Sequence, residues 1–129
     1  MRQIDYAVAI DSHLIIAECK AVGRSIGFDR GDPQSIKYRT DNVVELSLSQ
    51  VDEKANWLAI HQVGRNYNIA KYDYILPIAI SPFVEFIPSQ DTRYWVTKDI
   101  PRVLMPGELE QLLNHIHAVT NAFNKVSLH

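Results

Sequence analysis

The stretch IDYAVAIDSHLIIAECK, residues 4–20, decides how this chain begins to fold. Two apolar runs, Ile4–Ile10 and Leu14–Cys19, flank the polar tripeptide Asp11-Ser12-His13, a pattern that predicts a β-hairpin. A two-residue loop within this tripeptide pairs residues whose numbers sum to 23, such as 10 with 13. The predicted hairpin is the unit from which the rest of the sheet is built.

This register has support of its own in the side chains that it brings together. It sets Ala7 opposite Ile16 and Ala9 opposite Leu14, so that a small residue faces a larger one across the strands. A slip of one residue would set apolar side chains opposite charged ones, which disfavours the alternative pairing.

The same register places two carboxylates face to face. Asp5 lies opposite Glu18, and Lys20 is the next residue on that face of the strand. Like charges directly opposite each other destabilise a strand pair, so a compensating cation is expected. A divalent metal is the natural candidate because hard cations bind carboxylate oxygens.

Composition sets the outer limits of the interpretation. The chain has 129 residues, the size of one domain spanning 1–129, and 47% of them are hydrophobic. The net charge of −2 gives no global field of the kind that marks a basic nucleic-acid binder. The one cysteine excludes an intrachain disulfide, which favours a reducing cytoplasm, and no signal peptide or membrane span is visible.

The order of elements predicts an α/β domain with a mixed sheet of about four strands flanked by helices. Both faces of the hairpin are largely apolar, which is typical of a sheet covered on both sides, with the Cys19 side chain in the core. A helix is predicted over Val43–Val63 and a parallel strand over Tyr72–Ser81, with Pro77 indicating an edge or a bulge. A short strand is expected at Tyr94–Thr97 and a last helix from Pro106.

Residues 21–42 are predicted to be a long loop, and this is the most basic part of the chain. Its cations are Arg24, Arg30, Lys37 and Arg39. Such a loop can contact backbone phosphates without reading sequence, although a merely solvated loop fits the same composition.

The predicted helix carries a second stripe of side chains at the border of its buried face. Gln50, Lys54, Trp57 and His61 recur at helical spacing, about 100° away from the apolar stripe. Side chains in this position can reach over the edge of a sheet, where Lys54 is expected to join the loop cations in contacting nucleic acid. A solvated flank for Gln50 and Lys54, and a core or rim position for Trp57, are the alternative interpretations.

At this point the residues resemble a known pattern. Ile4-Asp5 followed by Glu18-Cys19-Lys20, on neighbouring antiparallel strands, is similar to the motif of the PD-(D/E)XK nuclease superfamily. The phrase Ile-Ala-Glu-Cys-Lys closely resembles the motif in its Mrr-like and Holliday-junction-resolvase-like branches. The resemblance covers roughly residues 3–80 and extends to a helix that adds a Gln or a Lys, matched here by Gln50 and Lys54.

The resemblance implies a restriction-endonuclease-like fold and Mg²⁺- or Mn²⁺-dependent cleavage of nucleic acid, most naturally DNA. Asp5 and Glu18 would bind the metal together with the backbone carbonyl of Cys19. Lys20 would assist the attacking water, with Gln50 as a further catalytic residue.

The chain also departs from the family pattern. Ile4 stands where the family often has proline, and the helix and strand that usually precede the aspartate are not in the sequence, since Met1 is four residues before Asp5. Either the chain is part of a longer protein, or another chain completes the sheet, or the site has decayed. An exposed edge of the hairpin would favour a homo-oligomer.

Two other functions are open. One is a nuclease-like domain that binds DNA or a protein partner without cutting. The other is a sugar hydrolase with Asp5 and Glu18 as an acid/base pair, which Lys20 disfavours because a nearby cation lowers carboxyl pKa values.

Overall fold

The structure is a computed structural model that describes residues 4–19, 30–82, 85, 87–115 and 122–129. Three α-helices lie in these ranges: α1 (Pro33–Arg39), α2 (Glu45–Ile60) and α3 (Pro106–Asn114). The strands are β1 (Tyr6–Ile10), β2 (His13–Cys19), β3 (Tyr74–Ile80), β4 (Trp95–Thr97), β5 (Ile100–Pro101), β6 (Val103–Leu104) and β7 (Val126–Ser127). No described helix has the length and apolar character needed to cross a membrane.

The hairpin forms in the predicted register. β1 and β2 pair antiparallel from Tyr6 with Ala17 to Ile10 with His13, so the residue numbers of each pair add up to 23. The loop is Asp11-Ser12, with Asp11 at a φ of 53°, a left-handed conformation that aspartate tolerates better than most residues. The sequence prediction of this hairpin is confirmed.

A βαβ unit extends the hairpin into a mixed sheet. β3 lies parallel to β2, as predicted, and α2 makes the crossover between them. The strand order is β1-β2-β3-β6, and β7 pairs antiparallel with the first residues of β3. The predicted α/β class and mixed sheet are confirmed. The short strand β4 pairs with β5 in a separate two-stranded sheet rather than joining the main one.

Pro77 lies where the partner strand on one side of β3 is interrupted. β7 pairs with Tyr74 and Ile75, and β6 pairs with Ala79 and Ile80, so Pro77 falls between the two. The buried guanidinium of Arg102 fills this gap and donates to the Pro77 carbonyl from Nε at 3.1 Å and from Nη2 at 3.0 Å. The strand tolerates proline there because no neighbouring strand needs its missing N–H.

Each face of the sheet has its own core. α2 covers one face, where its buried residues pack with β2 and β3; the set includes Leu14, Ile16, Leu48, Val51, Ala55, Leu58 and Ile75. The opposite face packs against α3 and the segment around β4; this set includes Ile15, Leu76, Ile78, Val96, Leu104 and Leu112. β2 and β3 are therefore covered on both sides, which explains their nearly continuous apolar sequences.

β1 is covered less completely than the sequence predicted. Ala7 and Ala9, on the α2 side of β1, are exposed, and Tyr6 is 40% exposed. The expectation that both faces of the whole hairpin are buried is correct for β2 but wrong for β1. Cys19, placed in the core by strand alternation, is exposed at the end of β2.

The predicted loop over 21–42 is wrong in its second half. α1 begins at Pro33, with Asp32 as its N-cap: the Asp32 carboxylate accepts from the Ser35 N–H at 3.2 Å and from the Ser35 hydroxyl at 2.8 Å. A π-helical turn over Thr40–Val44 then leads directly into α2. An aspartate followed by proline and then serine is a helix-start signal that the glycines nearby obscured. Residues 21–29 of the predicted loop lie outside the described residues.

α3 begins as the sequence predicts, with Pro106 as its first residue. The Glu108 carboxylate accepts from the Met105 N–H at 2.9 Å, which satisfies one amide at the start of the helix.

His13, at the start of β2, is a buried imidazole. It is 7% exposed, and neither ring nitrogen has a hydrogen-bond partner among the described residues. Burial, followed by the positive charge of Lys125, lowers the pKa of His13 below its ordinary value of 6.5, against smaller opposing contributions from Asp11 and Asp73. The fold therefore favours neutral His13.

Candidate functional site

The carboxylate pair, Asp5 and Glu18, lies at the end of the hairpin away from its loop. Asp5 immediately precedes β1, and its Oδ2 accepts from the backbone N–H of Cys19 at 3.0 Å. Continuing the β1–β2 register by one step sets Asp5 opposite Glu18. Asp5 is exposed, whereas Glu18 is only 7% exposed. One carboxylate faces solvent and the other is buried beneath α2.

Lys54 joins the pair from α2. Its Nζ lies 2.5 Å from Oε2 of Glu18, and the two side chains are only 17% and 10% exposed. A buried carboxylate is costly unless it is paired, so Lys54 stabilises the Glu18 charge in this environment. The helix flank predicted to reach the sheet edge does so at Lys54. The sequence did not reveal that Lys54 binds Glu18 directly.

Gln50 lies one helical turn before Lys54 on the same flank of α2. Its Oε1 is buried and has no hydrogen-bond partner among the described residues. Because α2 runs back along the sheet after β2, this earlier turn lies further toward the end of β2 that carries Glu18. A buried amide oxygen without a donor is an acceptor that a cation or a water molecule can use.

Cys19 contributes its backbone to this site rather than a reactive thiol. Its amide binds Asp5, and its carbonyl is the predicted third ligand of a metal. Partial burial, and then the negative charges of Asp5 and Glu18, raise the pKa of the Cys19 thiol. The thiol is therefore held protonated, and a thiolate ligand is disfavoured.

The predicted basic contacts separate into three groups. Lys20 and Arg24 lie outside the described residues. Arg30 is exposed, and Lys37 is exposed and bonded to Asp41 at 2.6 Å. Arg30 precedes α1 and Lys37 lies in its last turn, so both cations are at the surface and Lys37 is shared with Asp41.

Arg39 does not belong with them. Its guanidinium is buried and forms a two-pronged ion pair with Glu85, with Nε 2.8 Å from Oε1 and 2.6 Å from Oε2. Ser81 donates to the same carboxylate at 3.2 Å. A guanidinium in this position holds α1 to the segment after β3, so we remove Arg39 from the predicted phosphate contacts.

The incomplete cover over β1 leaves a cavity, which we call the β1–α2 groove. It has a volume of about 560 Å³ and lies between β1, α2 and the segment that follows α2. Its lining is Ile4, Ala7, Leu14, Ile16, Lys54, Trp57, Leu58, Tyr67 and Ile69. Lys54 is the one charged residue in this set, and Trp57 and Tyr67 are the aromatic ones. The sequence analysis placed Trp57 at the core or rim and did not identify Tyr67.

Within the described residues, no group of three His, Cys, Asp or Glu side chains is arranged to hold a metal. The oxygen donors at this end of the hairpin are two carboxylates and the Cys19 backbone carbonyl, which are of the kind that a hard divalent cation binds. They do not suit a zinc site built from thiolates and imidazoles.

Comparison with protein-family models, with curated proteins and with solved structures finds no match to this chain. The resemblance to the nuclease superfamily therefore depends on the residues of the chain itself and on their arrangement.

Proposed function

We propose that this chain is a restriction-endonuclease-like domain that hydrolyses phosphodiester bonds of DNA with the help of Mg²⁺ or Mn²⁺. The observation that carries the proposal is that Asp5, bonded to the Cys19 amide, lies one residue before a register whose extension sets it opposite Glu18, with Lys54 bonded to the buried Glu18. Carboxylates arranged in this way bind divalent cations, and a lysine beside them can stabilise an anionic phosphate.

The two carboxylates have different roles because their environments differ. Asp5 is fixed by the Cys19 N–H through one oxygen, and the side chain is exposed to an incoming cation. Glu18 is buried and shares its charge with Lys54, so a cation must compete with the ammonium group for the Glu18 oxygens. A bound Mg²⁺ would supply positive charge at the phosphate and a water of lowered pKa.

The remaining residues complete the proposed site. Gln50 places an acceptor oxygen that no described donor uses on the flank that already reaches Glu18. Lys20 orients the attacking water, as the family pattern implies. The exposed Arg30 and Lys37 are the proposed contacts to the phosphate backbone, which makes binding dependent on salt concentration.

The test is cleavage of plasmid, single-stranded and branched DNA with Mg²⁺ or Mn²⁺, comparing the wild type with Asp5→Asn and Glu18→Gln. Both variants should lose at least about a hundredfold in rate, because each removes a charge that acts on the transition state. Glu110→Gln is the matched control, since Glu110 is an exposed carboxylate on α3 and should leave the rate unchanged. Wild-type rates in the Asp5 and Glu18 variants would refute the site assignment.

Metal titration by calorimetry adds a second readout that does not depend on cleavage. Wild-type protein should bind Mg²⁺, and Glu18→Gln should weaken that binding. Lys54→Met should strengthen it, because the cation no longer competes with an ammonium group for Glu18. An unchanged Mg²⁺ affinity in Lys54→Met would show that the metal does not use Glu18.

The same Lys54–Glu18 contact favours one alternative, a nuclease-like module that binds DNA and does not cut it. An ion pair that already neutralises the buried carboxylate is sufficient for a stable fold without a metal. This alternative predicts no Mg²⁺ affinity that depends on Asp5 or Glu18, together with salt-sensitive binding of DNA.

A further inference from the structure

The β1–α2 groove has two aromatic rings beside an apolar floor. Trp57 and Tyr67 line it and are only half-buried, while Leu14 and Ile16 of β2 lie beneath at 8% and 0% exposure. Aromatic residues of a closed core would have other side chains on both faces. These two border an open volume of about 560 Å³, which is in the range of pockets that bind small organic groups.

Both rings are positioned by contacts that do not involve a ligand. Trp57 stacks on His61, with ring centroids 4.3 Å apart and planes inclined by 18°. The Tyr67 hydroxyl donates to the His61 carbonyl at 2.8 Å, and the Gly64 N–H donates to the Tyr67 carbonyl at 2.9 Å. The Tyr67 ring also lies so close to Gly64 that a Cβ atom there would be 2.1 Å from it. Such preorganisation lowers the entropic cost of binding a flat ligand.

The groove adjoins the carboxylate pair. Lys54 belongs to both, since its side chain lines the groove while its Nζ binds Glu18. On the β1 side, Ile4 lines the groove and is followed directly by Asp5. The groove and the carboxylate pair therefore adjoin through Lys54 and through Ile4-Asp5, so one bound strand can reach both.

We propose that the β1–α2 groove binds an unpaired nucleobase of the strand whose phosphate lies at the carboxylate pair. This inference rests on the proposed function and names its substrate class: DNA with an unpaired base at the cleavage site, not a continuous duplex. A base stacks on aromatic rings whatever its sequence, whereas a paired base must first leave the duplex at a cost in energy. The apolar and aromatic lining matches a neutral base, and the Lys54 ammonium, which is shared with Glu18, marks the end of the groove at which the attached phosphate would lie.

The test measures binding by tryptophan fluorescence, with Ca²⁺ and separately with EDTA. Trp95→Phe leaves Trp57 as the only tryptophan of the chain, so its quenching reports stacking directly. A single-stranded oligonucleotide should quench this signal and the same sequence as a duplex should not. Trp57→Ala and Tyr67→Ala should each weaken single-strand binding by about tenfold or more, and Trp57→Phe should retain most of it.

Tyr38→Ala is the matched control, because Tyr38 is an aromatic side chain that is 70% exposed on α1, away from the groove. Tyr38→Ala should leave the affinities for the single strand and for the duplex unchanged. An abasic site placed opposite the groove should reproduce the loss seen in Trp57→Ala. Circular dichroism of each variant establishes that it is folded before its affinity is compared.

Several results would overturn the inference. The inference that a base occupies the groove is wrong if the protein binds single strand and duplex equally. It is also wrong if folded Trp57→Ala binds the single strand as well as the wild type does. Self-association that depends on Trp57, without quenching by oligonucleotide, assigns the groove to a second copy of the chain. If Glu18→Gln abolishes cleavage but binding does not depend on Trp57, the base-binding role of the groove is refuted and the nuclease proposal stands. If binding depends on Trp57 but no metal supports cleavage, the nuclease proposal is refuted and the groove remains a site that binds an unpaired base.

Discussion

Removal of the Arg102 guanidinium should destabilise the fold far more than removal of a guanidinium at the surface. Arg102 is 1% exposed and donates to the Pro77 carbonyl, to the Arg93 carbonyl at 2.9 Å and to Asp52. It thereby fills the gap between β6 and β7 along β3. In the variant Arg102→Met, a side chain of similar length keeps much of the packing and removes all of these donors.

The magnitude follows from the groups that lose their donor. The buried Pro77 carbonyl loses two donors, at a cost of roughly 1–3 kcal/mol, and the partly buried Arg93 carbonyl adds less because water can reach it. The Asp52 side chain is 41% exposed, so water can solvate it and its contribution is small. We therefore expect a loss of about 3 kcal/mol in the free energy of unfolding, from a total of roughly 5–15 kcal/mol for a domain.

Urea unfolding followed by circular dichroism measures the change, and the melting temperature should fall by about 10 °C. Arg93→Met is the matched control, because Arg93 is an arginine paired with Asp91 at the surface, with its side chain 68% exposed. Arg93→Met should leave the urea midpoint unchanged. The urea midpoint of Arg102→Lys should lie between those of Arg102→Met and Arg93→Met, since an ammonium cannot reproduce the fork of guanidinium donors. Equal midpoints for Arg102→Met and Arg93→Met would refute the reasoning.

Two further predictions concern the hairpin and the groove. The folded-state pKa of His13 lies below its unfolded value of 6.5, so the unfolded chain binds the extra proton first and stability should fall as the pH drops below about 6.5. His13→Phe should flatten this dependence in urea titrations between pH 5 and pH 8; a slope equal to that of the wild type would contradict it. Gly64→Ala should displace the Tyr67 ring and lower the free energy of unfolding by about 1 kcal/mol. Gly107→Ala is its control, because no atom lies within 4 Å of the added methyl and alanine favours the α3 helix; equal effects of the two changes would argue against a packed Tyr67.

Prediction from the sequence was most successful where the signal was local and periodic. The hairpin register followed from alternating apolar residues and a short polar loop, and the structure has the same pairs from Tyr6 to Ile10. The start of α3 at Pro106 followed from the preference of proline for the first turn of a helix. At residues 30–42 two local signals competed: the glycine and charges predicted a loop, and Asp32-Pro33 predicted the start of a helix. The structure forms the helix, so the loop prediction failed.

The sequence by itself determined the hairpin register, whose extension by one residue sets Asp5 opposite Glu18, because strand pairing is set by the side-chain pattern of contiguous residues. Only the tertiary structure decided the partners of these and other charged groups. It bonded Lys54 to Glu18, turned Arg39 inward to Glu85, and placed Arg102 in the gap at Pro77. Those contacts join residues far apart in the chain, and a buried charge takes whichever partner the packing of helices on the sheet brings within reach. The β1–α2 groove has the same origin, since it exists where that packing leaves β1 uncovered.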